Sequence, residues 1–305
     1  MDYDLYHDES KKDGYWHGML LVPRSTRKQL LEYLKLIRKK SGYAHKITLK
    51  DLRRESHRSK CIRIWIEVGV YALIQNFKKP VKIYFKESIY SRNENRKATD
   101  YKELINLTES IGAKFILFRE RDAHTKMDSS FFPDSAAKVE TTFRMGLKGG
   151  LHLLFDESNP VRIVSMHFDG HKHHSGRAID KERIIGRIKG LRAYCSFCNN
   201  VVIDDRTSDH MKSNSQDYDD CQLLQLTDLL VSGFRLVLGS QKTKLQRDVT
   251  HPCRIRIEEW NKGYTRMQRS RWNKGICISE CHLVNKKWQF GDIKPNGQSC
   301  LTLPF

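Results

Sequence analysis

The chain has 305 residues, 39 % of them hydrophobic, enough for one large core-forming domain or a core with insertions, and too apolar for a disordered polyanion binder. Lys and Arg number 55 against 36 acids, a formal charge of +19 that favours a polyanionic partner over a neutral metabolite. No uninterrupted apolar stretch of about 18 residues stands in the sequence, so no membrane-crossing helix is expected. The acidic opening MDYDLYHDES lacks the apolar centre of a secretion signal. The expected location is cytoplasmic, and the eight cysteines are then expected as thiols or metal ligands.

In chain order, residues 3–8 read as an aromatic-rich strand, Lys11-Lys12-Asp13-Gly14 as a turn, and Tyr15 to Val22 as a second strand stopped by Pro23. Ser25 is a candidate N-cap for a helix to about Lys40, with Leu30, Leu31, Leu34 and Ile37 at helical spacing; Ser41-Gly42 ends it. Residues 45–58 are basic and fit no one element. A second helix is expected over 59–77, a strand over 81–85, an exposed loop at 91–97, a helix over 100–111 and a strand over 113–118. A polar loop at 121–134 leads to a helix over 135–154. The apolar run 161–168 predicts a strong strand, 180–189 a short helix, 201–203 a small strand, and 221–238 the clearest helix of all. The remainder is basic and irregular, with strands possible at 276–284 and 287–292. Alternating strands and helices after an antiparallel hairpin imply an α/β fold: a mixed sheet with helices on both faces. The division is a core over 1–238 and a basic C-terminal subdomain over 239–305.

Three segments place a carboxylate beside apolar residues. Asp8 ends the opening strand, sharing one face with Asp4 and Tyr6 while His7 and Glu9 take the other. Asp169 follows the run Val161–Phe168, where α/β sheets place ligand-binding groups beyond strand ends. Asp228 lies inside the last clear helix, where Leu223, Leu226, Leu230 and Phe234 form the buried stripe and no capping role is available. An ionised Asp beside a core is costly unless paired or bound to a cation. Two strand-end carboxylates and one helical carboxylate can converge on hard Mg²⁺ or Mn²⁺, one ion or two. Read singly, Asp8 and Asp169 also fit ordinary turns, and Asp228 a solvated helix position.

These motifs carry a resemblance. Asp8-Glu9-Ser10 before a second strand, the strand ending in Asp169, and Gln225-Leu226-Thr227-Asp228-Leu229 resemble the landmarks of a widespread bacterial and phage-associated family, domain of unknown function thirty-eight hundred. The resemblance spans roughly residues 1–238 and implies a ribonuclease-H-like, integrase-superfamily fold. It further implies that the acids, Asp8, Asp169 and Asp228 with Glu9 beside them, bind metal. Lys11 stands where the family has Gly, and Tyr43-Ala44-His45 keeps the His of a Glu-x-His element without its acid. The fourth acid is open among Glu9, Asp4, Glu140 and Asp156.

Other chemistry is also on the chain. His171, in Asp169-Gly170-His171-Lys172-His173-His174, is placed to act as a general base, a ligand or a phosphate contact, or to sit in a solvated loop. Cys195 and Cys198 with Cys277 and Cys281 could chelate Zn²⁺, against the alternative of reduced thiols. Arg254, Arg256, Arg266, Arg269, Arg271 and Trp272 mix charge with a stacking ring, fitting nucleic acid or a basic subdomain with its own core. No phosphate-binding glycine loop and no nucleophile elbow is present. The reading is a metal-dependent nuclease or related phosphodiester-processing enzyme. The alternative is a non-catalytic nucleic-acid-binding or effector-partner module, with a protein partner in a larger complex as a further possibility and no membrane partner.

Overall fold

The computed structural model describes the chain except for residues 51, 53, 76, 78, 92–95, 122–131, 133–134, 170–179, 189, 192, 199, 205–215, 240–242, 266–274, 285–286, 294–298 and 302–305. It begins with the expected hairpin. Strands β1 (Asp2–Ser10) and β2 (Tyr15–Pro23) pair antiparallel, joined by a turn in which Asp13 and Gly14 both take positive φ. Gly tolerates that conformation at no steric cost, and Asp tolerates it better than most residues.

The hairpin is the centre of a nine-stranded mixed sheet. On one side β2 pairs antiparallel with β5 (Lys114–Glu120). Beyond it β9 (Ile276–Val284) runs parallel to β5, followed by β10 (Lys287–Ile293) and β11 (Ser299–Leu301). On the other side β6 (Val161–Asp169) runs parallel to β1, with β7 (Cys195–Phe197) and β8 (Val201–Asp204) both parallel to β6. The order is β11-β10-β9-β5-β2-β1-β6-β7, with β8 also on β6.

Helices cover both faces. One face of the sheet, with Tyr6, Leu20, Val22, Phe115 and Leu117, packs on α1 (Arg24–Ser41), α2 (His57–Ala72) and α5 (Gln216–Leu238). The opposite face, with Leu5, Met19, Leu21 and Met166, packs on α3 (Ser135–Leu154) and α4 (Lys181–Ile188). This alternation along each strand is why successive residues of β1 serve different cores. α1 starts straight after Pro23, and its apolar stripe Leu30, Leu31, Leu34 and Ile37 is fully buried; Gly42, at φ 61°, closes it in the left-handed conformation. Ser56 caps α2: its hydroxyl accepts from the Ser59 N–H while the Ser59 hydroxyl accepts from the Ser56 N–H.

Three expectations are corrected. Residues 100–111 are not helical: β4 (Arg96–Leu107) pairs with β3 (Val81–Ser91) in a separate two-stranded sheet. Ile83, Phe85, Ile105 and Leu107 are buried there with a period of two, so cross-strand pairing overrides the local helical pattern. The described residues beyond 238 join the main body of the fold. They supply α6 (Lys244–Val249), α7 (His251–Thr265) and the strands β9 to β11 that extend the main sheet. The apolar stripe on α5 widens to most of the circumference, because α2 and α7 cover the side turned away from the sheet. Its stretch Tyr218–Leu238 is long and apolar enough to cross a membrane, yet 78 % of its apolar window is buried, as a core helix requires.

Candidate metal centre

Strand register brings the first acids together. β1 and β6 pair Tyr6 with His167 and His7 with Phe168, so Asp8 and Asp169 occupy the next position at the C-terminal ends of adjacent parallel strands. On the far side of β6, Asp169 pairs with Asp204, the last residue of β8. Neighbouring strands lie about 4.8 Å apart, so three aspartates hold consecutive places along one sheet end. Asp204 was not singled out from sequence. Its signal is the one that marked Asp169, an apolar strand closed by Asp, but shorter and followed by Asp205, which reads as a turn.

α5 brings the next acid from above. It crosses the face that carries Tyr6, and Asp228 shares a side-chain hydrogen bond with Asp8. The Ser232 hydroxyl, one turn on, donates to Asp228 Oδ1 at 3.3 Å. The approach depends on Gly18, which faces Asp8 across the β1–β2 ladder. A Cβ at Gly18 would sit 1.9 Å from Val231 Cγ2, so no larger residue fits beneath the helix turn that holds Asp228.

Two carboxyls in contact repel when both are charged. Burial pushes the Asp228 carboxyl above its ordinary 3.8, while Lys46 and Lys50 pull it down. A shared proton is one way to satisfy such a pair; a hard divalent cation is another, since it accepts carboxylate oxygens from both. The donor set here is entirely oxygen, which suits Mg²⁺ or Mn²⁺ and not a soft metal.

Other candidate acids are engaged elsewhere. Glu9 points to the opposite face, where it accepts from the Tyr15 hydroxyl. Asp4 shares the face of Asp8 but is held by Arg24 at 2.9 Å and by the Ser165 hydroxyl at 2.7 Å. Glu140, on α3, is fully buried and takes Arg183 at 3.0 Å and Arg187 at 3.3 Å from α4. Asp156 closes a turn through Ser158 and Asn159. Among residues whose side chains are described, no three or more His, Cys, Asp or Glu groups gather as a metal-holding cluster; Asp169 and Asp204 are placed by their backbone register alone.

The proposed zinc ligands do not meet. Cys195 starts β7 at one border of the sheet, while Cys277 and Cys281 lie on β9, five strand steps away. At about 4.8 Å per step that is on the order of 24 Å, far beyond a shared tetrahedral ion. Local spacing suggested a chelate that the topology separates. Arg254 is exposed on α7, and Arg256 pairs with Glu259 at 3.3 Å. His171, Arg266, Arg269, Arg271 and Trp272 lie outside the described residues.

No family model, curated protein or solved structure matches the chain. The family resemblance therefore rests on the three motifs themselves, and the functional reading on the geometry around Asp8 and Asp228.

Proposed function

We propose that the chain is a divalent-metal-dependent nuclease, or a closely related phosphodiester-processing enzyme, built on a ribonuclease-H-like core. The observation that carries this reading is the contact between Asp8 and Asp228, made by two segments 220 residues apart in sequence at one end of a parallel strand pair. The order β5-β2-β1-β6-β7, in which β2 alone runs against the others, supports the ribonuclease-H-like reading of the sheet.

Asp8 and Asp228 would hold the ion, with Asp169 and Asp204 at the adjoining register positions as the further ligands. When bound, one or two such ions supply an activated water and neutralise the oxygen that leaves the phosphate. The chain's own part is to fix its carboxylates against a rigid sheet and to present positive charge to the strand. Placement on strand ends and a packed helix suits that task, because a metal site on rigid elements keeps its geometry.

The test is incubation of the protein with labelled single- and double-stranded DNA and RNA in Mg²⁺, Mn²⁺ or EDTA. Cleavage is expected with metal, absent with EDTA, and lost in a folded Asp228→Asn variant. Undiminished cleavage by that variant would remove Asp228 from the site.

A further inference from the structure

Residues 43–50, which include the start of the basic stretch that fits no element in the sequence, form a strap across α5, next to the carboxylate pair. Two arginines hold its backbone. Arg38 is buried and donates to the carbonyls of His45 at 2.8 Å and Tyr43 at 3.3 Å. The same guanidinium donates to Gln222 at 2.6 Å and Gln225 at 2.7 Å on α5, and its plane lies over the Trp65 ring at 4.7 Å. Gln225 Oε1 also accepts the Ile47 N–H at 3.1 Å, one helical turn before Asp228. Arg58 donates to the carbonyls of Thr48 and Lys50 at 2.6 and 2.5 Å.

Side chains along the strap divide accordingly. Ile47 and Leu49 are buried in the core, whereas Lys46 is half-exposed and Lys50 exposed. The two lysines flank the stretch whose Ile47 N–H is held by Gln225, one helical turn before Asp228. Burying a guanidinium is costly, and this one is spent on fixing a loop whose outward groups are cations beside a carboxylate pair. Loop-borne cations on a rigid support, next to a site that would process phosphodiesters, are suited to gripping phosphate.

We propose that Lys46 and Lys50, on the strap of residues 43–50, hold the phosphate backbone of the bound strand beside Asp8 and Asp228, with Arg38 as the residue that positions them. This rests on the nuclease reading, and it assigns the contact to a part of the chain other than the basic stretch 254–274.

The experiment compares wild type, Lys46→Gln/Lys50→Gln and Lys46→Arg/Lys50→Arg. Binding of labelled single- and double-stranded DNA and RNA is followed by fluorescence anisotropy in EDTA over a range of salt, with thermal unfolding alongside. The Gln pair is expected to weaken binding about tenfold and to lower the slope of log affinity against log salt by about two. It should leave the melting temperature unchanged and raise KM with kcat retained, while the Arg pair binds as wild type does. Wild type that binds, with a Gln pair of equal affinity and equal salt slope, overturns the strap assignment alone. Weaker binding with an unchanged salt slope and a matching loss of thermal stability also overturns it. Wild type that binds none of the probes overturns the nuclease reading together with the strap.

Discussion

Asp228 is where folding and function pull in opposite directions. Burial makes its charged form costlier in the folded chain than in the unfolded one, so its folded pKa lies above 3.8. The stability this group allows is full below that value and falls as pH rises through the elevated folded pKa. Asp228→Asn should therefore make the metal-free protein more stable at neutral pH, by about 1 kcal/mol, with the gain vanishing below about pH 4. Thermal unfolding across pH checks this; a variant less stable than wild type at neutral pH would show that Ser232, Lys46 and Lys50 outweigh the cost of burial. Arg38 behaves in the opposite way. Arg38→Met removes the donor shared by Gln222, Gln225 and two carbonyls, and should cost about 2 kcal/mol in denaturant unfolding. Sequence carried Asp228 clearly, because a mid-helix Asp has no capping role. It did not carry Arg38, whose partners depend on a fold that no local pattern encodes.

At the scale of elements, the separation between α5 and the hairpin sets the site. Gly18 allows it, and Gly69 on α2 does the same on the other side of α5, where a Cβ would meet Leu226 at 2.8 Å. Gly18→Ala should force α5 outward, destabilising the fold by about 2 kcal/mol and weakening the response to Mg²⁺. Adding Val231→Ala should recover part of both losses, since the clash is between that pair. Additive losses in the double variant would place the close approach elsewhere. The elements that carry Asp8, Asp169 and Asp228 were legible because each has a strong period: the hairpin, the run Val161–Phe168 and the helix 221–238. β4 is not legible locally because Leu104, Ile105 and Leu107 fit either period in isolation, and only pairing with β3 decides. Asp204 carries little local signal because a four-residue strand is too short to show a period.

On the scale of the whole molecule, basic composition suggested a boundary at 238 that the sheet does not respect. β9 covers β5 with Ile276 and Ile278 fully buried, and Arg119 of β5 pairs with the buried Glu280 of β9. Glu280 is engaged inside the sheet, so losing this strand would strip Arg119 of its carboxylate and bare the β5 border. A chain ending at Leu238 should show no cooperative thermal transition. A sharp transition near the wild-type temperature would restore the C-terminal segment as a separate unit. The zinc reading failed at this same scale: Cys-x-x-Cys spacing is local, whereas strand order, which parts β7 from β9, is set by pairings across the entire chain.

The proposed chemistry requires Asp8 and Asp228 to share a divalent cation. Titration of Mn²⁺ into the protein, with free ion followed by electron paramagnetic resonance, reads this without reference to any substrate. Wild type should take up one or two Mn²⁺, competed by Mg²⁺, and Asp8→Asn or Asp228→Asn should each lose that uptake while remaining folded. Wild type that binds no Mn²⁺, or variants that bind it equally well, would contradict the account.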